Sequence, residues 1–135
     1  AGDHFEEMLR IRKSSTLCRM RTAGEIEASL AFLDGGPAQT PGLLVTRLSR
    51  PAGWHHPPER WAQALVAVNA TPEAQAFSAE ALRGQRLQLH PVQQGSSDPV
   101  VRRSAFDCAA GRVEVPARRA SATTATPWAT GTSSC

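Results

Sequence analysis

The sequence has no tyrosine, only one lysine (Lys13), and an aromatic content of 5%. Its basic residues are otherwise arginines, and the 15 of them against 12 acids give a net charge of +3. Such a balance invites a nucleic-acid reading. The arginines are scattered, however, as Arg10 and Arg12, Arg19 and Arg21, Arg102 and Arg103, Arg118 and Arg119. No interleaved aromatics are there to stack on bases. The charge therefore reads as a solvated surface, and no nucleic-acid partner is expected. Cysteine is scarce: Cys18, Cys108 and Cys135 are odd in number, far apart and without a C-x-x-C pair. Neither a metal site nor a disulfide framework is implied. His4, His55, His56 and His90 lack metal-ligand spacing, so no metal or cofactor is expected.

No apolar run approaches the ~20 residues that span a bilayer, so no membrane partner is expected. Residues Ala1 to Arg12 lack a signal peptide's apolar core. The chain opens on Ala1, not Met; a targeting segment of a longer parent is expected to lie upstream, and the compartment is unread. At 135 residues the chain fits one domain. An eightfold strand–helix barrel, at about 250 residues, is excluded. G-x-S-x-G and Gly-rich phosphate loops are missing. The twelve acids sit beside turns or alternate outward along strands, with none in a recognisable catalytic pair. No catalytic residue is assigned.

What is present is punctuation: Gly and Pro make up 20 of 135 residues, favouring short strands over long helices. One helix is predicted first, from Asp3 with Glu6 three residues on to about Ser14, with Phe5, Met8, Leu9 and the stem of Arg12 on one face. So short a helix needs a partner for that face. After a connector containing Gly24 the period becomes two, predicting a strand over 27–32 that stops at Asp34-Gly35-Gly36-Pro37. Further strands are predicted over 43–48 and 64–68, the latter apolar enough to be covered on both faces. Shorter ones follow over 75–78, 86–91, 100–106 and 112–115. Strands at roughly 8–12-residue spacing argue for a mainly β chain, an antiparallel β-sandwich preceded by one short N-terminal helix. The divisions are residues 1–24 (helix and connector), 25–118 (sandwich) and 119–135. That last stretch of Ala, Ser, Thr and Gly is expected to be a disordered C-terminal tail.

Trp54 and Trp61 flank a loop containing His55-His56-Pro57-Pro58. Exposed indoles can stack on sugar faces, which makes the pair a candidate carbohydrate-binding platform for a branched α-glucan. The plainer reading, that both cap an edge of the core, is favoured by the area an indole buries. Asn69-Ala70-Thr71 matches a glycosylation sequon, but Pro72 follows and a turn accounts for it.

Several segments in order resemble the end of pullulanase-type α-1,6-glucosidases, debranching enzymes of the α-amylase superfamily. They are Leu9 to Ser15, Gly36 to Leu43, Val68 to Phe77, Leu89 to Gln93, Ser97 to Arg102 with Ala105-Phe106-Asp107, and Gly111 to Arg118. The likeness covers roughly residues 5–118. It implies an antiparallel β-sandwich carried behind a catalytic barrel that hydrolyses α-1,6 branch points of pullulan, amylopectin or limit dextrins. The barrel would hold the catalytic residues and would be this domain's partner, with Phe5, Met8 and Leu9 packing on its helices. Beyond Arg118 the family continues into a final apolar strand. Here Arg119-Ala120-Ser121-Ala122-Thr123-Thr124 is expected not to fill that place, leaving an unpaired sheet edge. A free-standing carbohydrate-binding module and a degenerate fragment are the alternatives.

Overall fold

Asp3 in the first turn and Arg10, Arg12 and Lys13 in the last match the field of a helix at both ends, and the first helix, α1, spans Gly2–Lys13. The structure is a computed structural model describing residues 2–54 and 61–125. His55 and His56 of the predicted loop lie outside the described residues, as does the predicted tail beyond Ala125. A 3₁₀ turn over Thr16–Arg19 follows, capped by Ser15.

Next comes a second helix, α2, Ala23–Ser29, where the alternating pattern predicted the start of a strand. The reason is local: Thr22 Oγ1 accepts from the Glu25 amide at 3.2 Å, and Glu25 Oε2 accepts from the Thr22 amide at 3.3 Å. This capping box commits the segment to a helix despite its two-residue alternation, and only Leu30–Phe32 remains as strand β1.

The predicted strands at 43–48 and 64–68 are β2, Leu43–Ser49, and β3, Gln63–Asn69. Strand β4 is Gln75–Ser78. The strand predicted over 86–91 shrinks to β5, Gln88–Leu89, because Pro91 opens a short helix, α3, Pro91–Gln94. The strand predicted over 100–106 is likewise cut short. Asp98 Oδ1 accepts from the Val100 amide at 2.8 Å, and a 3₁₀ turn at Val101–Arg103 precedes β6, Ala105–Asp107. Strand β7 is Arg112–Val115.

The predicted tail must be corrected. Residues Arg119–Ala125 form strand β8, and Ser121 to Ala125 are all buried. Hydropathy misses it because Ser, Thr and Ala are small and weakly apolar. A strand inside a sheet needs backbone pairing and a close fit, and threonine suits both. Far from leaving an edge unpaired, β8 lies between β3 and β5 and pairs with β3 over its whole length, Gln63 opposite Ala125 through Asn69 opposite Arg119.

Two antiparallel sheets result, ordered β1-β2-β3-β8-β5 and β4-β7-β6. Odd-numbered residues of β2, β3 and β8 share one face. Leu43, Val45, Leu65, Ala67 and Ala125 meet Val113 and Val115 of the small sheet there, with Leu82 and Leu87 completing the core. On the opposite face of the large sheet Ala64, Ala122 and Thr124 are buried as well. The 3₁₀ turns reach β2 and β8 on that side, and α1 packs on α3. Leu17 and Val101, both at 0% exposure, are the apolar anchors of this helical layer.

Candidate functional site

An α-helix turns about 100° per residue, so Glu7 and Ile11 share one face of α1 while Phe5 and Leu9 lie nearly opposite. Glu7 and Ile11 are the buried pair. Phe5 is 66% exposed and Leu9 40% exposed, with Met8 half-buried on the flank. The sandwich thus takes the helix by one face and leaves the predicted packing face, Phe5 and Leu9 above all, turned away from itself. Phe32, Leu44 and Val68 are exposed too. Thr46 pairs with both Phe32 and Val66, and Leu44 pairs with Val68 in the next row. These side chains form an apolar strip on the part of the large sheet that the helical layer leaves open. Grouped apolar exposure of this kind is more informative than a lone exposed leucine.

The C-terminal end of α1 is tied down by polar contacts. Val92 donates its amide to His90 Nδ1 at 3.2 Å, so Nε2 carries the ring proton. That nitrogen lies 2.9 Å from Ser14 Oγ, which in turn donates to the Ile11 carbonyl at 2.7 Å. His90 is buried and is the first residue before α3.

Trp61 lies against His90, ring centroids 5.5 Å apart and tilted by 58°. It is 5% exposed, a core contact of the kind the plainer reading expects at this position. Trp54 is half-buried. Asn69 is 1% exposed. Its side-chain nitrogen donates to the carbonyls of Glu73, Val115 and Pro116, and its oxygen accepts from Thr71. The sequon is a turn clasp, as its following proline suggested, and its amide is closed to modification. Among the described residues no group of three His, Cys, Asp or Glu side chains converges as a metal site.

One feature went unread in the sequence. Asp3, Glu6, Glu7, Arg10, Gly95 and Ser97 line a cleft of about 230 Å³ between α1 and the turn after α3. Helical spacing alone places the three acids and Arg10 on one flank of α1. Nothing in the sequence places residues 95–97 opposite them.

The architecture is thus an antiparallel β-sandwich with a helical layer on one sheet and an outward apolar helix face beside it. Residues 1–124 match the family described as alpha-1,6-glucosidases, pullulanase-type, C-terminal, and the chain belongs to that family. It is 36% identical over 121 residues to pullulanase 1, chloroplastic, of Arabidopsis thaliana, with 85% of this chain and 12% of that protein covered. The Klebsiella pneumoniae pullulanase complexed with maltotriose superposes with a TM-score of 0.79 at 26% identity, covering 96% of this chain and 12% of that one. A maltotriose-complexed pullulanase variant from Paenibacillus barengoltzii shares the fold at a TM-score of 0.60 and 21% identity, covering 87% of this chain and 16% of that one. The chain spans about an eighth of the length of the curated relative it matches.

Proposed function

We propose that this chain is the non-catalytic C-terminal β-sandwich of a pullulanase-type α-1,6-glucosidase, supporting a catalytic barrel in the same parent polypeptide. The parent would hydrolyse α-1,6 branch linkages in pullulan, amylopectin and limit dextrins. One observation carries the reading: Phe5 and Leu9 stand exposed on the side of α1 opposite the face buried against the sandwich. Exposed apolar surface on a helix already anchored from behind is suited to a second partner, and burying each side chain stabilises the contact by roughly 1.5–3 kcal/mol. Phe5, Met8 and Leu9 are the docking residues. Two paired sheets with β8 inside the larger one support a structural part over a degenerate fragment, and the burial of Trp61 favours that part over a glucan-binding module.

The test is made on the polypeptide in its source. An antibody raised against this chain detects a product several times heavier than 14.4 kDa; a product near that mass overturns the reading. In the heavier product, Phe5→Asp with Leu9→Asp lowers the thermal midpoint of the barrel, and an unchanged midpoint discards the docking face.

A further inference from the structure

The scattered cysteines imply no disulfide framework in the sequence, yet Cys108 is disulfide-bonded. Cys18 carries a thiol. It sits in the 3₁₀ turn over Thr16–Arg19, on the helical side of the large sheet, whereas Cys108 lies in the turn between β6 and β7 of the small sheet. The large sheet stands between the two, so they cannot approach to the roughly 4.4–6.8 Å between Cα atoms that a disulfide needs. The turn that holds Cys108 is fixed: Asp107 Oδ1 accepts from the Ala110 amide at 3.1 Å, and the Cys108 carbonyl accepts from the Gly84 amide at 2.9 Å. The end of β8 lies at the same end of the sandwich. Gln85, next to Gly84, accepts at Oε1 from Gln63 Nε2 at 2.6 Å. Gln63 stands opposite Ala125, and the Ala62 amide donates to the Ala125 carbonyl at 2.8 Å. Residues 126–135 follow and carry the third cysteine, Cys135. A stretch of that length reaches up to about 33–36 Å when extended, ample for the short path of contacts from Ala125 back to Cys108.

We propose that Cys108 Sγ is bonded to Cys135 Sγ, a redox lock that ties the chain beyond β8 to the small sheet. The ring so closed contains β7 and β8, and each of these strands is flanked on both sides within its own sheet. Closure therefore restricts, in the unfolded chain, the stretch that supplies an inner strand to both sheets. It takes the two thiols and a disulfide oxidant such as oxidised glutathione. One cysteine thiolate attacks the oxidant's disulfide, and the other then displaces the remaining oxidant thiol from the mixed disulfide. One S–S bond forms and one breaks, and the two protons and two electrons given up by the cysteines leave on the two thiols of the reduced oxidant. Excess dithiol reverses the reaction. The inference is independent of the docking reading above.

The polypeptide isolated from its source is equilibrated with oxidised glutathione, alkylated with iodoacetamide in denaturant, and digested without reduction for mass spectrometry. A peptide pair joining Cys108 to Cys135, two hydrogens lighter than its separate parts, is expected. Alkylation or glutathione adducts at both cysteines, or Cys108 joined to any other cysteine, overturns the proposal. So does a pair found only in a product that runs at twice the mass on a non-reducing gel, which places the bond between two copies. Excess dithiol is expected to lower the thermal midpoint of this domain by roughly 5–10 °C. Cys135→Ser should start from the reduced midpoint and not respond to the dithiol. A midpoint that ignores the dithiol in the unsubstituted protein, or a Cys135→Ser variant that still responds to it, overturns the lock.

Discussion

The side-chain amide of Gln93 has the donor and acceptor of a peptide group, and the fold uses it as one. Strand β5 pairs with β8 only through Gln88 opposite Thr124 and Leu89 opposite Thr123. The ladder continues with the His90 amide donating to the Ala122 carbonyl at 2.8 Å. Beyond that point the chain turns away into α3, and Gln93 takes over. Its Oε1 accepts from the Ala122 amide at 2.7 Å and its Nε2 donates to the Ala120 carbonyl at 2.8 Å. Gln93 is 0% exposed, so both bonds are sheltered from water. Replacing it with leucine strands a donor and an acceptor on β8, and a loss of about 2–4 kcal/mol is expected from urea unfolding. Gln93→Glu should cost a similar amount, because a carboxylate cannot donate to Ala120; an unchanged urea midpoint in both variants would refute this role. None of this was legible in the sequence, where Gln93 lies past the end of the strand predicted over 86–91. A glutamine earns a buried place only once a particular strand lies beside it.

At the scale of elements, the sequence showed the strands it could show by hydrophobic alternation, and missed those set by backbone chemistry. The positions of β2, β3, β4 and β7 were readable because Leu, Val and Phe mark them. Helix α2 was hidden because its signal is a cap, Thr22 with Glu25, inside a stretch whose apolar residues also alternate. Strand β8 was hidden because its residues are small; the space they leave is filled from neighbouring strands, Leu65 standing opposite Thr123. The turns were well marked, and one is more constrained than its sequence suggests. Gly111, ahead of β7, has φ of 60°, and a Cβ there would stand 2.6 Å from the Ala79 carbonyl oxygen and 2.7 Å from the Arg83 amide nitrogen. Gly36 also has positive φ, at 83°, but open space around it. Gly111→Ala is therefore expected to cost about 2–4 kcal/mol and Gly36→Ala about 1 kcal/mol, by thermal unfolding. Equal costs would show that backbone conformation alone matters and that the close approach does not.

For the whole molecule, the contact between the helical layer and the large sheet includes a titratable clasp. Asp98 accepts from the Val100 amide through Oδ1 and from Arg119 Nε through Oδ2, the latter at 2.7 Å. The Val100 hydrogen bond is the main cause that holds its carboxyl below the ordinary value of 3.8; desolvation opposes it, and the hydrogen bond and charge of Arg119 add to the lowering. A carboxyl depressed in the folded state adds stability above its unfolded value and loses it as pH falls through the folded one. The thermal midpoint should thus be level from pH 7 to 5 and fall below about pH 4, where the net charge of +3 also grows. Asp98→Asn should lower the neutral midpoint and flatten part of that acid limb; an identical pH profile would rule the clasp out. The candidate site was legible at this scale only in half: the exposed side of α1 could be read from Phe5, Met8 and Leu9. The wall facing Asp3 and Glu7 depends on where the chain returns some ninety residues later, at Gly95 and Ser97.

That late return bears on how the protein is made. Among the described residues strand β8 comes after every other strand, yet it occupies an inner place in the large sheet. On the ribosome, β3 must wait with a bare edge until residues 119–125 clear the exit tunnel. Synthesis runs at about 5–20 residues per second, so the nascent domain stays open until β8 emerges, and a premature stop just before Arg119 would release a sheet cut through its middle.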